Sequence, residues 1–407
     1  MTTPQSRARL PLDGLRVLDV SSFIAAPAAA VVLGDYGADV IKVEPPGEGD
    51  PHRSNINLTS FPKAEVNYPW HLDARNKRSI ALDLKRPEAR AALDRLIDKA
   101  DILITNYPFP VRARLRLGYE EVSARNPRLI YASFSGYGEE GGDKDQPGYD
   151  SNAYFARSGL LDAIHHEGQP PGFALPAQGD RPSAMALLSA ILLALIDRER
   201  TGKGTWVASN LLANGLWSNG VYAQAALVGS YLPNRPPRER PRSALANIYL
   251  TSDDRWLQIN VTNETRDWPA VLEMIERPEL AADPRFAERK ERHANAVALR
   301  EILDGIIRTR PYAHWNRFLK ARAVPHSRIN RLDDIPEDAQ AVAARAVVET
   351  DIPDMPRTLA APFQLGHVEP RRAGPGPALG QHTDVILREA GLGENEIAAL
   401  KACGAAA

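Results

Sequence analysis

The feature that most constrains the fold is a recurrence: along the first third of the chain, strand, helix and strand keep following one another within about thirty residues. Leu15-Arg-Val-Leu-Asp-Val20 has the character of a buried strand, residues 27–36 read as a helix rich in small residues, and Asp39-Val-Ile-Lys-Val43 as the next strand. The unit returns at 79–84, 87–100 and 101–105, with Pro87 suited to a helical first turn, and continues through 119–125 and 129–134. Parallel strands require such crossovers, so the predicted class is α/β with a doubly wound parallel sheet. Ligands of such sheets sit beyond the carboxyl ends of the strands, and functional residues are sought in the loops there.

From Ser183 the pattern becomes helical. Leu187, Leu188, Ile191, Leu192, Leu195 and Ile196 mark one apolar face, and a second helical stretch is predicted from Trp206 to about Tyr231. The proline-rich run 233–241 reads as a linker, 247–251 and 256–261 as a hairpin, and much of 268–321 as helices. The expected layout is a large domain from 1–225 and 335–407, with a smaller α+β domain over 226–334.

With 50 Lys+Arg against 51 Asp+Glu, nothing global attracts a nucleic acid or an anionic membrane, so any anion site must be local. The single cysteine, Cys403, supports neither an internal disulfide nor a thiolate metal cluster and suits a reducing cytoplasm. Met1 to Pro11 lacks the apolar core of a secretion signal, and the most apolar stretch, 184–196, is too short to cross a bilayer.

Several motifs mislead. Gly136-Tyr-Gly-Glu-Glu-Gly141 spells a dinucleotide fingerprint, but the acidic, helix-breaking residues after it cannot open the required helix. Thr201-Gly-Lys-Gly-Thr205 follows a helix instead of a strand and reads as a helix C-cap, not a phosphate loop. The adjacent His165 and His166 diverge, so no metal site is expected, and no nucleophile elbow occurs. Basic residues carry more: Lys85, Asn106 and Arg114 fall near predicted strand ends, where an anionic nucleotide could dock. Asp180, in Gly179-Asp-Arg-Pro-Ser183, opens the long apolar helix. A helix cap and an ionised nucleophile held at a helix N-terminus both fit it, and pattern alone leaves the two open.

The chain resembles the class III coenzyme A transferases, the superfamily of formyl-CoA transferase, crotonobetaine CoA-transferase and methylacyl-CoA racemase. The similarity runs nearly end to end through Leu12-Asp-Gly-Leu-Arg-Val-Leu-Asp19, Gly37-Ala-Asp-Val-Ile-Lys-Val-Glu44, Asn76-Lys-Arg-Ser-Ile-Ala-Leu-Asp83, Ala100-Asp-Ile-Leu-Ile-Thr-Asn106, Gly179-Asp180 and Leu379-Gly-Gln-His-Thr383. It implies an interlocked homodimer and a cytoplasmic enzyme that moves CoA from an acyl-CoA donor to a small organic acid, with acyl-CoA as substrate and no permanently bound cofactor. It places the nucleophile on Asp180, and coenzyme contacts on Ile24, Ala25, Leu82, Lys85, Asn106, Tyr107, Arg114, Tyr149 and Asp150.

Three departures narrow what carries over. Ile24 replaces the Gln of formyl-CoA transferases, residues 238–247 contain no glycine where those enzymes have a glycine-rich lid, and Pro45 replaces an Arg found in several relatives. Racemases of the superfamily need a proton-shuttling His in a Gly-His-Asp block; here the block is Gly148-Tyr149-Asp150. A CoA-binding protein without catalysis is a third alternative, against which the retained Asp180 speaks. Arg53 could pair with a second substrate carboxylate, which would suit succinyl-CoA as donor, or it is an ordinary surface arginine.

Overall fold

The computed structural model describes residues 9–230, 232 and 234–407. The reading of the N-terminus over residues 1–8, and positions 231 and 233 of the predicted helix end and linker, lie outside the described residues.

Six parallel strands form the central sheet: β1 (Arg16–Asp19), β2 (Asp39–Glu44), β3 (Arg78–Ala81), β4 (Ile102–Thr105), β5 (Ile130–Ser135) and β6 (Trp206–Asn210), in the order β3-β2-β1-β4-β5-β6. The inner strands are apolar on both faces because helices cover both. One core packs Leu18, Ile41, Ile80 and Leu103 against the helices Pro87–Ile97 and Thr383–Glu389. The other packs Val17, Val40, Ile102 and Ile130 against the helices Ala25–Asp35 and Asp180–Thr201. The order reverses between β1 and β4, so the loops after those strands border the crevice where such sheets take ligands.

Two expectations are corrected. Trp206 does not begin a helix: residues 206–210 form β6, paired with β5, and helices follow only at Leu211–Ser218 and Gly220–Leu227. The open edge of β5 satisfies its backbone groups by recruiting this mixed run, a tertiary effect that outweighs local pattern. Ile196, read as part of the apolar face of the Asp180 helix, is exposed, as is Leu193. The glycine-rich run after β5 continues into turns, and Gly202, left-handed at φ 71°, ends the Asp180 helix.

The chain divides into two compact units. One comprises the sheet residues up to 163, 172–231 and 342–407; it also holds a hairpin of β10 (Val347–Ile352) and β11 (Met355–Leu359). The other, 164–171 and 232–341, is built on an antiparallel sheet of β7 (Ala246–Leu250), β8 (Trp256–Asn260) and β9 (His326–Ile329), backed by helices such as Ala296–Ile307 and Tyr312–Ala321. Among the described residues no helix is long and apolar enough to cross a membrane.

Candidate active site

The start of the Asp180 helix is fixed by its neighbours. A Cβ on Gly179 would come within 2.6 Å of the Tyr154 ring, so only glycine lets the helix start abut the π-helical segment Asp150–Ala156. The Gly179 N–H donates to the Asp150 carboxylate at 3.0 Å, and the Ser183 hydroxyl donates to the Gly179 carbonyl at 2.7 Å. Asp180 is therefore not the cap of its helix. It is the first helical residue, and the cap position before it is held by Gly179, which has no side chain to cap with.

The electrostatics there differ from the expectation that a helix N-terminus keeps the carboxylate ionised. Burial raises the Asp180 carboxyl, the nearby Asp150 and Asp73 carboxylates raise it further, and Arg181 only partly offsets them, so it is pushed up to about 7. Desolvation and like charge outweigh the helix dipole, whose effect is about 1 kcal/mol. Near neutrality such a group exists in both forms, as a carboxylate able to attack a carbonyl and as its conjugate acid.

The residues on the rim of the sheet sort into two groups. Leu82, Lys85, Tyr107 and Arg114 line one cavity of about 200 Å³, together with Pro45 and Val111. Its floor is apolar, while Lys85 and Arg114 are exposed, and neither pairs with a carboxylate among the described residues. An aromatic ring above with phosphates at the rim would match that division. Asn106 instead holds the first βα loop, accepting from the Ser22 N–H at 2.8 Å and donating to the Ser22 carbonyl at 2.7 Å. Ile24 and Ala25, buried at the start of the next helix, follow Phe23, which has φ 62° and sets its ring edge-on to that of the exposed Tyr149, 5.9 Å between centroids. Contacts thus run from the first βα loop to Tyr149, and from Asp150 to the start of the Asp180 helix.

Other cations are committed elsewhere. Arg53 grips the buried Glu44 (Nε at 2.8 Å and Nη2 at 2.7 Å) and stacks on Trp70 with its guanidinium 3.8 Å from the ring centroid. Arg75 pairs with Asp35, Arg78 with Asp39 and Glu389, and Arg112 donates to the carbonyls of Tyr107 and Phe134. Sequence reasoning missed Asp73 and Arg181, which join in a two-point pair at 2.6 and 2.9 Å. It also missed the Lys42–Asp50 pair at 2.7 Å, whose Asp50 receives the Phe23 N–H at 3.1 Å and whose Lys42 donates to the Ser21 carbonyl. The adjacency of Arg181 to Asp180 was the one available signal.

Comparison with known proteins decides the family. Residues 12–383 match the family model described as CoA-transferase family III. The chain belongs to that family. It is 30% identical to (R)-2-hydroxy-4-methylpentanoate CoA-transferase of Clostridioides difficile, covering 95% of this chain and 97% of that protein. It is also 30% identical to succinyl-CoA–D-citramalate CoA-transferase of Chloroflexus aurantiacus, covering 96% and 97%. Among solved structures, a CAIB/BAIF family protein from Brucella suis superposes with a TM-score of 0.83 at 29% identity, covering 94% of this chain and 100% of that one. The protein is thus a family III CoA-transferase.

Proposed function

We propose that this family III CoA-transferase moves CoA from an acyl-CoA donor, succinyl-CoA being the first candidate, to a small organic acid through a thioester on Asp180. The observation that carries the reading is Asp180 itself, partly accessible at a glycine-fixed helix start, with its carboxyl poised near neutrality. Its carboxylate attacks the donor carbonyl, the C–S bond breaks, and CoA leaves as thiolate from a mixed anhydride. The thiolate then attacks the aspartyl carbonyl and expels the donor acid, leaving the enzyme thioester. The acceptor carboxylate reverses both steps and departs as the new acyl-CoA. Oxyanions formed on the way require N–H donors, and the anhydride requires exclusion of water.

Lys85 and Arg114 would hold phosphates at the mouth of the Leu82–Tyr107 cavity, and the first βα loop with Tyr149 and Asp150 would guide the thiol end. The exposed Trp217, Val221 and Leu227 on the helices after β6 are consistent with a second copy of the chain covering this face, as a homodimer requires. With Arg53 engaged by Glu44, the choice of acid rests on other groups. The names of the two relatives make a 2-hydroxy acid and a dicarboxylic acid the first acceptors to try.

The test is a panel of acyl-CoA donors, led by succinyl-CoA, against free acids in deuterated water. New acyl-CoA without deuterium at the α-carbon supports the proposal. Deuterium exchange without transfer would reassign the chain to racemase chemistry.

A further inference from the structure

Both sequence neighbours of Asp180 are pinned by buried carboxylates. On one side the Gly179 N–H is bound by Asp150; on the other the Arg181 guanidinium is bound at two points by Asp73. Asp73 is itself backed: its Oδ2 lies 3.0 Å from His52 Nε2, which is also 3.0 Å from the Pro69 carbonyl. A carbonyl can only accept, so that ring nitrogen carries the hydrogen and Nδ1 is left to accept from the Asn55 amide at 2.7 Å. His52 and Asp73 are almost wholly buried, whereas the Arg181 side chain at the other end of this series is about a third exposed. The first turn of the Asp180 helix is thereby bolted to the helix Tyr68–Ala74 and to the 3₁₀ turn Pro51–Asn57 behind it.

We propose that Arg181 and Asp73 are positioning residues that fix both the orientation and the charge of the Asp180 carboxylate. The proposal rests on the reading of Asp180 as nucleophile. The charged groups facing Asp180 are Asp150 from the π-helical segment, Asp73 from the helix Tyr68–Ala74 and Arg181 from its own helix, with His52 behind Asp73. Asp73 and Asp180 thus share one guanidinium, and Asp73 holds most of it, while Asp150 is turned to the Gly179 N–H. Asp73 adds a negative charge that keeps the nucleophile protonated at low pH, while Arg181 opposes it. A bidentate fork keeps that cation at a set place, which a lysine ammonium cannot reproduce.

The experiment is the pH dependence of single-turnover CoA attachment to the protein, followed by intact mass, with the donor that the acid panel returns. The wild-type rate is expected to rise through a limb near pH 7, where the Asp180 carboxyl titrates. In Arg181→Gln the limb moves to higher pH by about one unit, and in Asp73→Asn to lower pH by roughly half a unit or more. The charge-neutral double variant Asp73→Asn/Arg181→Gln returns it near the wild-type position. Arg181→Lys keeps the limb but lowers the plateau rate about tenfold, with little change in KM for the donor. A structural role alone would reduce folded protein or amplitude without moving the midpoint, so an unmoved limb in Asp73→Asn overturns the proposal even if Arg181→Gln does not fold. Wild-type protein that carries CoA on a residue other than Asp180 is a separate outcome, and it overturns the nucleophile reading beneath it.

Discussion

Asp19 and Asp180 are the same side chain in two buried surroundings, and they titrate in opposite directions. Burial would raise the Asp19 carboxyl, but Lys42 and Lys77 outweigh it and hold Asp19 below the ordinary range; Lys77 Nζ sits 2.8 Å away. Asp180, less deeply buried but also raised by desolvation, has two carboxylate neighbours and a guanidinium already claimed by Asp73, so it rises to about 7. One carboxylate is locked as an anion and ties strands together. The other is left with a weakly compensated charge that a covalent bond would relieve. Neighbours, not residue type, separate a structural acid from a reactive one.

The contrast is broken or sharpened by five substitutions. Asp180→Ala should reduce CoA transfer by more than about a thousandfold while the protein stays folded, measured as kcat/KM for the donor and acid that work. Asp19→Asn should leave transfer chemistry in place but cost on the order of 3 kcal/mol of stability, because two buried lysines lose their shared partner; denaturant unfolding checks it. Asp180→Asn should do the reverse and stabilise. The folded carboxyl, near 7, lies above its unfolded value of 3.8, so the wild type loses stability as pH rises from about 4 to about 7 and is level beyond. The variant escapes that loss, gaining on the order of 2 kcal/mol at pH 8 and nothing near pH 4, as read from melting curves across pH. The smallest effect is expected of Lys85→Ala and Arg114→Ala, each raising KM for acyl-CoA about tenfold with kcat nearly unchanged, and less so at high salt.

The sheet was legible because its inner strands are buried on both faces and written as almost continuous apolar runs. β6 was not. Trp206-Val-Ala-Ser-Asn210 lies at an edge with Trp206 exposed, and only pairing with β5 makes it a strand. In the site, Asp180 stood out through family resemblance; its local pattern fitted a cap equally well. The cations were the least legible. Whether an arginine is free for a ligand depends on a partner that folding brings to it, as Asp73 comes to Arg181 across 108 residues. Arg53 sits nine residues from Glu44, but the fit of its fork to that buried carboxylate is visible only in three dimensions.

The most direct test of the central claim is to quench the enzyme during turnover with hydroxylamine, digest with trypsin and locate the modified carboxyl. The account predicts a hydroxamate at Asp180, on the peptide 158–198, and none on the peptides that carry Asp73 or Asp150. An unmodified 158–198 peptide during active transfer, with the label on another carboxyl or on none, would contradict it.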